Sequence, residues 1–322
     1  MDLLRALTDG KFHSGVVLAD SLGVSRTTIS NRLSYWRDKG VPMDSVNGKG
    51  YRLSHPLQFW DADQLRHELT TTGPKEMINL DVCETTTSTN DYVSEALQDG
   101  RNRVVSLAEV QINGRGRRGR TWISIPGTGF CGSFGWRYST GFQSIQGLSL
   151  AVGVVIVETL TELGYQGLSL KWPNDIYCAK GKLGGVLIEL AGEIEGPCRV
   201  VVGVGINIHL PERVKMLVDQ PVADLMDVDR TRLPDRQAIT LALIRNISEL
   251  LDSFTLLGFG HWRERWIQMD GYIGKAVSLT GGAAPVIGIE CGVDEGGALL
   301  INTASGVQAF SGGELSLRQD PE

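Results

Sequence analysis

The chain has 322 residues, 42% of them hydrophobic and 21% charged, with a formal net charge of -6. That length and composition suit a globular protein of roughly two or three domains with an ample core. No run of about eighteen apolar residues occurs, and the N-terminus MDLLRALTDG lacks the basic-then-apolar order of a signal peptide; neither membrane insertion nor export is indicated, and a cytoplasmic protein is expected. The five cysteines are an odd number with no C-x-x-C pair, which speaks against a disulfide framework and a zinc knuckle.

The charge is unevenly distributed. Residues 1–55 hold eight Lys and Arg against five Asp and Glu, a net of +3, leaving -9 for the rest. A basic head on an acidic body points to nucleic acid as the partner of the head alone. Leu3, Leu4 and Leu7 predict a short first helix, and Ser14 caps a second carrying Val17, Leu18 and Leu22. Gly23 makes the turn, and Ser25 caps a third helix in which Ile29, Leu33 and Trp36 share the core face. This leaves Ser25, Arg26, Thr27, Thr28, Ser30, Asn31 and Arg32 to read base edges and phosphates. Gly40 ends that helix, and residues 43–53 read as two strands around an Asn47-Gly48 turn, a wing that offers Lys49 to DNA. The alternative is a packing module, because a helix-turn-helix also serves protein contacts.

After a linker with Pro56, Asp61-Ala-Asp-Gln64 has a capping-box pattern that opens a second domain. Residues 77–82 predict a strand, 84–90 a polar loop, and a helix follows through Tyr92, Ala96 and Leu97. The buried-type strand 104–110 delivers the chain to Gln111-Ile-Asn-Gly-Arg-Gly-Arg-Arg-Gly-Arg-Thr-Trp122. Next come a glycine-aromatic strand at 130–136, an apolar helix at 149–160, and strands at 168–172, 185–189 and 199–207. Strands interspersed with a few helices imply an α+β layer with a mixed sheet. Residues 211–268 read as mostly helical, and beyond Gly271 short strands at 276–279, 286–289 and 298–301 predict a small β-barrel.

Four sequence features carry chemistry. Arg115, Arg117, Arg118 and Arg120 among Gly114, Gly116 and Gly119 bring guanidinium forks and open backbone N–H groups to one anion, as a phosphate requires. Clustered like charges without hydrophobic periodicity imply a loop that orders only around its anion; a solvated basic patch is the plainer alternative. Ser88, Thr89 and Asn90 stand where a strand gives way to a helix, as caps or as ligands of a small polar molecule. Lys171, near the end of an apolar strand, needs an anion if buried and otherwise snorkels to water. Pro173, Asn174 and Asp175 stop that strand, and Asp175 is a candidate magnesium ligand beside phosphate. Lys182-Leu-Gly-Gly185 and Gly203-Val-Gly-Ile-Asn207 let backbone approach a ligand closely. No phosphate-loop or dinucleotide-binding fingerprint is present, and the five histidines are scattered.

Taken in order, these motifs resemble those of the biotin–protein ligases, and Gly312-Gly-Glu-Leu-Ser-Leu-Arg318 resembles their closing barrel. With its winged head, the chain is similar to the bifunctional bacterial biotin ligase/biotin operon repressors. The resemblance implies a multidomain α+β protein: a winged helix-turn-helix DNA-binding domain at 1–60, a mixed-sheet ligase domain at 61–270 and an SH3-like β-barrel at 271–322. It implies ATP-dependent formation of biotinyl-5′-AMP with Mg2+, then transfer to a lysine of a biotin carboxyl carrier protein. Repression of biotin synthesis genes at operator DNA by a ligand-dependent homodimer is implied as well. Ser88, Thr89, Asn90, Gln111, Arg115, Arg117 and Lys171 would hold biotin; Arg117, Arg118, Arg120, Trp122, Lys171, Asn174 and Asn207 would hold the nucleotide; Lys171 and Arg117 would be catalytic. Gly132 and Gly135 depart from the bulkier residues expected there and imply a looser pocket floor. A ligand sensor with an inactive ligase domain is the alternative, and a lipoate ligase a more distant one.

Overall fold

The computed structural model describes all residues except 73–76, 194, 282–283, 312–315 and 320–322, with backbone alone at 72 and 316–319. Its head is built as the leucine spacing predicts, from α1 (Asp2–Arg5), α2 (Gly15–Leu22) and α3 (Arg26–Asp38). The hydroxyls of Ser14 and Ser25 accept the Val17 and Thr28 N–H groups, each at 3.1 Å, so both caps form. Leu3, Leu4, Leu7, Leu18, Ile29 and Leu33 are buried together, whereas Val17 of the second helix is exposed with Val16. The wing pairs β1 (Met43–Val46) with β2 (Gly50–Leu53), antiparallel, with Lys49 exposed in its turn. The head's core is completed from outside: Leu57, Ile125 and Val214 join its cluster. His55 also leans on the body, its Nε2 2.9 Å from the His209 carbonyl oxygen and the two rings 3.9 Å apart.

Asp61 caps α4 (Ala62–Thr72) by accepting the Gln64 N–H at 2.9 Å. Gln64 turns forward to Glu68 rather than back to the cap, so the reciprocal half of the capping box is not made. Then follow β3 (Asn79–Thr86), α5 (Thr89–Gln98), β4 (Val104–Gln111), β5 (Gly129–Tyr138), α6 (Leu148–Glu162), β6 (Ser169–Lys171), β7 (Asp175–Cys178), β8 (Gly181–Gly192) and β9 (Cys198–Asn207). The strands form one seven-stranded sheet in the order β3-β4-β5-β9-β8-β7-β6, parallel only between β3 and β4. α5 covers one face, while α6 packs on β6, β7 and β8 and the long helix Arg236–Leu257 on β5. The stretch Phe142–Glu162 is long and apolar enough to cross a membrane by composition, but most of it is buried in this core. The helical region is α7 (Glu212–Lys215), α8 (Leu225–Val228), α9 (Arg236–Leu257) and α10 (Gly260–Met269).

At the N-terminus of α9 a buried ion pair ties three segments together. The Arg236 guanidinium lies 2.9 Å from Glu109 on β4, donates to the Gly129 and Gln58 carbonyls, and sits 3.5 Å over the Trp60 ring. Glu109 also accepts the Trp60 and Gly127 N–H groups. Nothing in sequence spacing signals this node, since its members are scattered from 58 to 236.

The closing domain consists of β10 (Ala276–Thr280), β11 (Val286–Val293), β12 (Leu299–Thr303), β13 (Gly306–Phe310) and β14 (Ser316–Gln319), antiparallel in the order β13-β12-β11-β10-β14. Residues 312–315 of the closing motif lie outside the described residues. Where this domain meets the body, Asp270 and Glu290 are buried within hydrogen-bonding reach of one another. Burial and the neighbouring carboxyl push Glu290 up to about 9 and raise Asp270, so the pair holds a proton at neutral pH. A raised folded pKa means that the native state binds more protons than the unfolded chain. Its contribution to stability is therefore complete below the ordinary glutamate range and lost as pH rises toward 9. Glu290→Gln, neutral throughout, is expected to flatten the fall in thermal stability between pH 5 and pH 9 and to add about 1–3 kcal/mol at the alkaline end. Calorimetric melts of both proteins across that range check this; parallel slopes refute it.

Candidate active site

Strand register assembles the site. Lys171 is paired with Asp175, Asp175 with Gly185, Gly185 with Gly205, and Gly205 with Cys131, so one row crosses five strands. Cross-strand partners share a face, and alternation puts Ser133, Gly203 and Glu189 on that face too. This is the face that α5 covers. Glycine is required where the covering groups come closest. A Cβ on Gly203 would lie 2.4 Å from the Asn90 side chain, and one on Gly205 would lie 2.5 Å from the Trp122 ring.

Ser88, Thr89 and Asn90 are all buried at the start of α5. Ser88 stands at the N-cap but makes no side-chain cap bond. Thr89 donates from its N–H and hydroxyl to Gln111 Oε1, at 2.9 and 3.1 Å. The Ser133 hydroxyl lies 2.6 Å from both the Thr89 hydroxyl and Asn90 Oδ1 and has one proton to share between them, and Asn90 donates to Glu189 at 2.9 Å. Thr89 and Asn90 are thus part of a connected network in which β4, β5 and β8 each supply a residue.

The arginine stretch, expected to have no fold of its own, closes into a hairpin. Trp122 N–H donates to the Gly114 carbonyl at 2.8 Å and Gly116 N–H to the Arg120 carbonyl at 2.7 Å. Arg118 and Gly119 take left-handed backbone at its tip, with φ of 58 and 71°. Local backbone bonding therefore organises the segment despite its charge. Arg115 makes a two-toothed contact with Asp91, at 2.6 and 3.0 Å, and reaches Glu189 at 3.4 Å. Arg117 bonds Asn174 Oδ1 at 3.3 Å, and partial burial draws its pKa down. Arg118 and Arg120 are exposed. Trp122 lies against β9 and donates its indole N–H to Cys131.

β6 stops at Lys171, as the sequence predicts, but the chain resumes at once as β7. Asp175 opens that strand and pairs with Lys182 at 2.6 Å. Among the described residues no group of three or more His, Cys, Asp or Glu side chains is placed to hold a metal. Asp175, the candidate magnesium ligand, is the ion-pair partner of Lys182 in this structure. Asn207 is buried and donates to the Ala223 carbonyl at 3.0 Å, which fixes the end of β9. The floor is not loose. A Cβ on Gly135 would meet Val93 of α5 at 2.4 Å, and Gly132 faces the other side of the sheet, where Leu107 and Phe130 occupy its space at 2.8 Å. Sequence reasoning missed Asp91, Ser133, Tyr177, Glu189 and Tyr272. Of these, Glu189 alone carries a signal, as the one charge in the apolar run 183–192.

On the head, Arg26, Thr27, Ser30, Asn31, Arg32 and Lys49 are exposed. Ser25 and Thr28 meet in the helix cap, with hydroxyls 2.9 Å apart.

Comparison with known proteins covers the same three parts. The biotin/lipoate A/B protein ligase family model matches residues 82–207, a helix-turn-helix domain model matches 1–52, and the biotin protein ligase C-terminal domain model matches 272–318. The chain is 36% identical over 318 residues to the bifunctional ligase/repressor BirA of Salmonella typhimurium, covering 99% of this chain and 97% of that one. It is 35% identical, with the same coverage, to BirA of Escherichia coli. A solved structure of the Aquifex aeolicus biotin protein ligase in complex with biotin and ATP aligns with a TM-score of 0.64 at 29% identity, covering 76% of this chain and 100% of that one. With the likeness unbroken from head to closing domain, the chain belongs to the family of bifunctional ligase/repressors.

Proposed function

We propose that the protein activates biotin with ATP to biotinyl-5′-AMP, transfers the biotinyl group to a lysine of a biotin carboxyl carrier protein, and represses biotin synthesis genes from its head. The row from Lys171 across Gly185 and Gly205 to Cys131, roofed by the arginine hairpin and α5, is the observation that carries this reading. It sets cations and open backbone beside a buried polar network, which suits a ligand with a small polar ring and a phosphate.

In the first step a biotin carboxylate oxygen attacks the α-phosphorus, and diphosphate leaves from the opposite side. Lys171 would bridge the carboxylate and the α-phosphate and offset the charge that grows on the phosphoryl oxygens. Arg117, Arg118 and Arg120 would hold the phosphates, Trp122 would cover the adenine, and Asn174 and Asn207 would border the nucleotide. Ser88, Thr89, Asn90 and Gln111 would take the ureido ring, with Arg115 bracing the hairpin against Asp91. Magnesium fits this site as part of the Mg-ATP substrate, carried by phosphate oxygens rather than by a protein cage. In the second step the carrier lysine amine attacks the mixed-anhydride carbonyl, an amide forms and AMP leaves. Incubation with ATP, magnesium, labelled biotin and apo carrier domain tests the reading. An unlabelled carrier sinks it, and would favour a sensor with an inactive ligase domain.

The units are 1–60, 61–270 and 271–322 in this proposal. One head with net charge +3 makes few phosphate contacts, so DNA binding would depend on a homodimer that places two heads on a two-fold operator. Adenylate held under the hairpin would favour that dimer, and apo carrier would compete with it. Sedimentation and operator titration are expected to show association and tighter DNA binding with biotin plus ATP, both reversed by apo carrier. Indifference to all three conditions refutes the switch.

A further inference from the structure

Lys171 is flanked by two aromatic rings that come from different parts of the chain. Its Nζ is 5.3 Å from the ring centroid of Tyr177, on β7, and 5.3 Å from that of Tyr272, just beyond α10. Tyr177 reaches the lysine through the β6–β7 hairpin, where it is paired with Ser169. Tyr272 reaches it through a chain of short bonds. Its N–H donates to Asp270 Oδ1 at 2.8 Å, and the preceding Gly271 N–H donates at 2.9 Å to the carbonyl of Leu170, the residue before Lys171. Asp270 in turn faces Glu290 on β11, so the entry to the closing domain is fastened to the strand that ends in Lys171.

A lysine stem has many rotamers, and a catalytic ammonium has to sit in one of them when the α-phosphate arrives. Ring faces attract the ammonium as a whole through their quadrupole, so they bias its position without prescribing its N–H directions. Burial pushes the Tyr177 phenol well above its ordinary range and also raises that of Tyr272, so neither brings a competing negative charge. Lys275 shares the Tyr272 ring at 5.5 Å, and the Asp175 carboxylate nearby is engaged by Lys182.

We propose that Tyr177 and Tyr272 are positioning residues for Lys171. The inference rests on the role given to Lys171 above. Single-turnover formation of biotinyl-5′-AMP by the full-length protein tests it with Tyr272→Phe, Tyr272→Leu, Lys171→Met and the double variant Lys171→Met/Tyr272→Leu. Tyr272→Phe, which keeps the ring, is expected within about twofold of the unaltered protein. Tyr272→Leu, which keeps bulk but loses the ring, is expected to slow adenylation roughly 3- to 30-fold, with the apparent KM for biotin unchanged. In the double variant the leucine adds nothing to the loss caused by Lys171→Met. An undiminished rate in Tyr272→Leu overturns the proposal, as does an equal loss with and without Lys171. An undiminished rate in Lys171→Met overturns the role of the lysine itself, a separate result. If Tyr272→Leu does not melt cooperatively, Tyr177→Leu puts the same question to the other ring.

Discussion

Lys171→Ala is expected to lower the rate of adenylation roughly 10- to 150-fold, the effect of losing one charge-assisted hydrogen bond made to the transition state. Arg117→Ala, of similar charge change, acts elsewhere. Arg117 belongs to the hairpin and reaches Asn174 from above the sheet, so its loss weakens retention of the adenylate more than its formation. The lysine stands at the end of β6, where register with Asp175 fixes its backbone, whereas the arginine stands next to the left-handed tip at Arg118. Single-turnover rates and intermediate dissociation, measured separately for each variant, are expected to split in this way. Normal adenylation by Lys171→Ala contradicts the assignment.

The second large effect concerns stability. Arg236→Ala is expected to lose about 3–5 kcal/mol, because it leaves Glu109 as an uncompensated charge among buried groups. Glu109 would keep the Trp60 and Gly127 N–H donors, which offsets only part of that. Arg236→Met combined with Glu109→Gln is expected to lose less than Arg236→Ala, since removing both charges removes the cost of burying them. Denaturant unfolding of the unaltered protein and both variants gives the comparison; a loss in the double variant as large as that in Arg236→Ala contradicts it.

Local signals made much of this architecture legible. Serine caps, leucine spacing and an Asn-Gly turn define the head, and runs of β-branched residues mark the central strands. The site was legible as a set of motifs, because cations among glycines have few other uses. Its arrangement was not. That Lys171, Gly185 and Gly205 stand in one row is a matter of register between strands far apart in sequence. The same non-locality hid Glu189 and Ser133, which earn meaning only once α5 lies over them. The pairing of Asp175 with Lys182 depends on a hairpin that begins directly after a proline, where strand signals are weak. Gly132 and Gly135 suggested empty space because composition cannot say which neighbour fills it.

The connection between head and body has no slack. Leu57 is buried in the head's own cluster beside Ile125 and Val214, Gln58 is held by Arg236, and Trp60 lies under that guanidinium. A linker pinned at three of four successive residues transmits rotation instead of absorbing it. Two heads brought together would therefore sit at a separation and angle dictated by how their bodies meet. On DNA, adding one base pair between half-sites turns the second by about a tenth of a helical revolution. A flexible tether would follow that turn, but this one would not, so in such a dimer spacer length would become a coordinate read without touching a base.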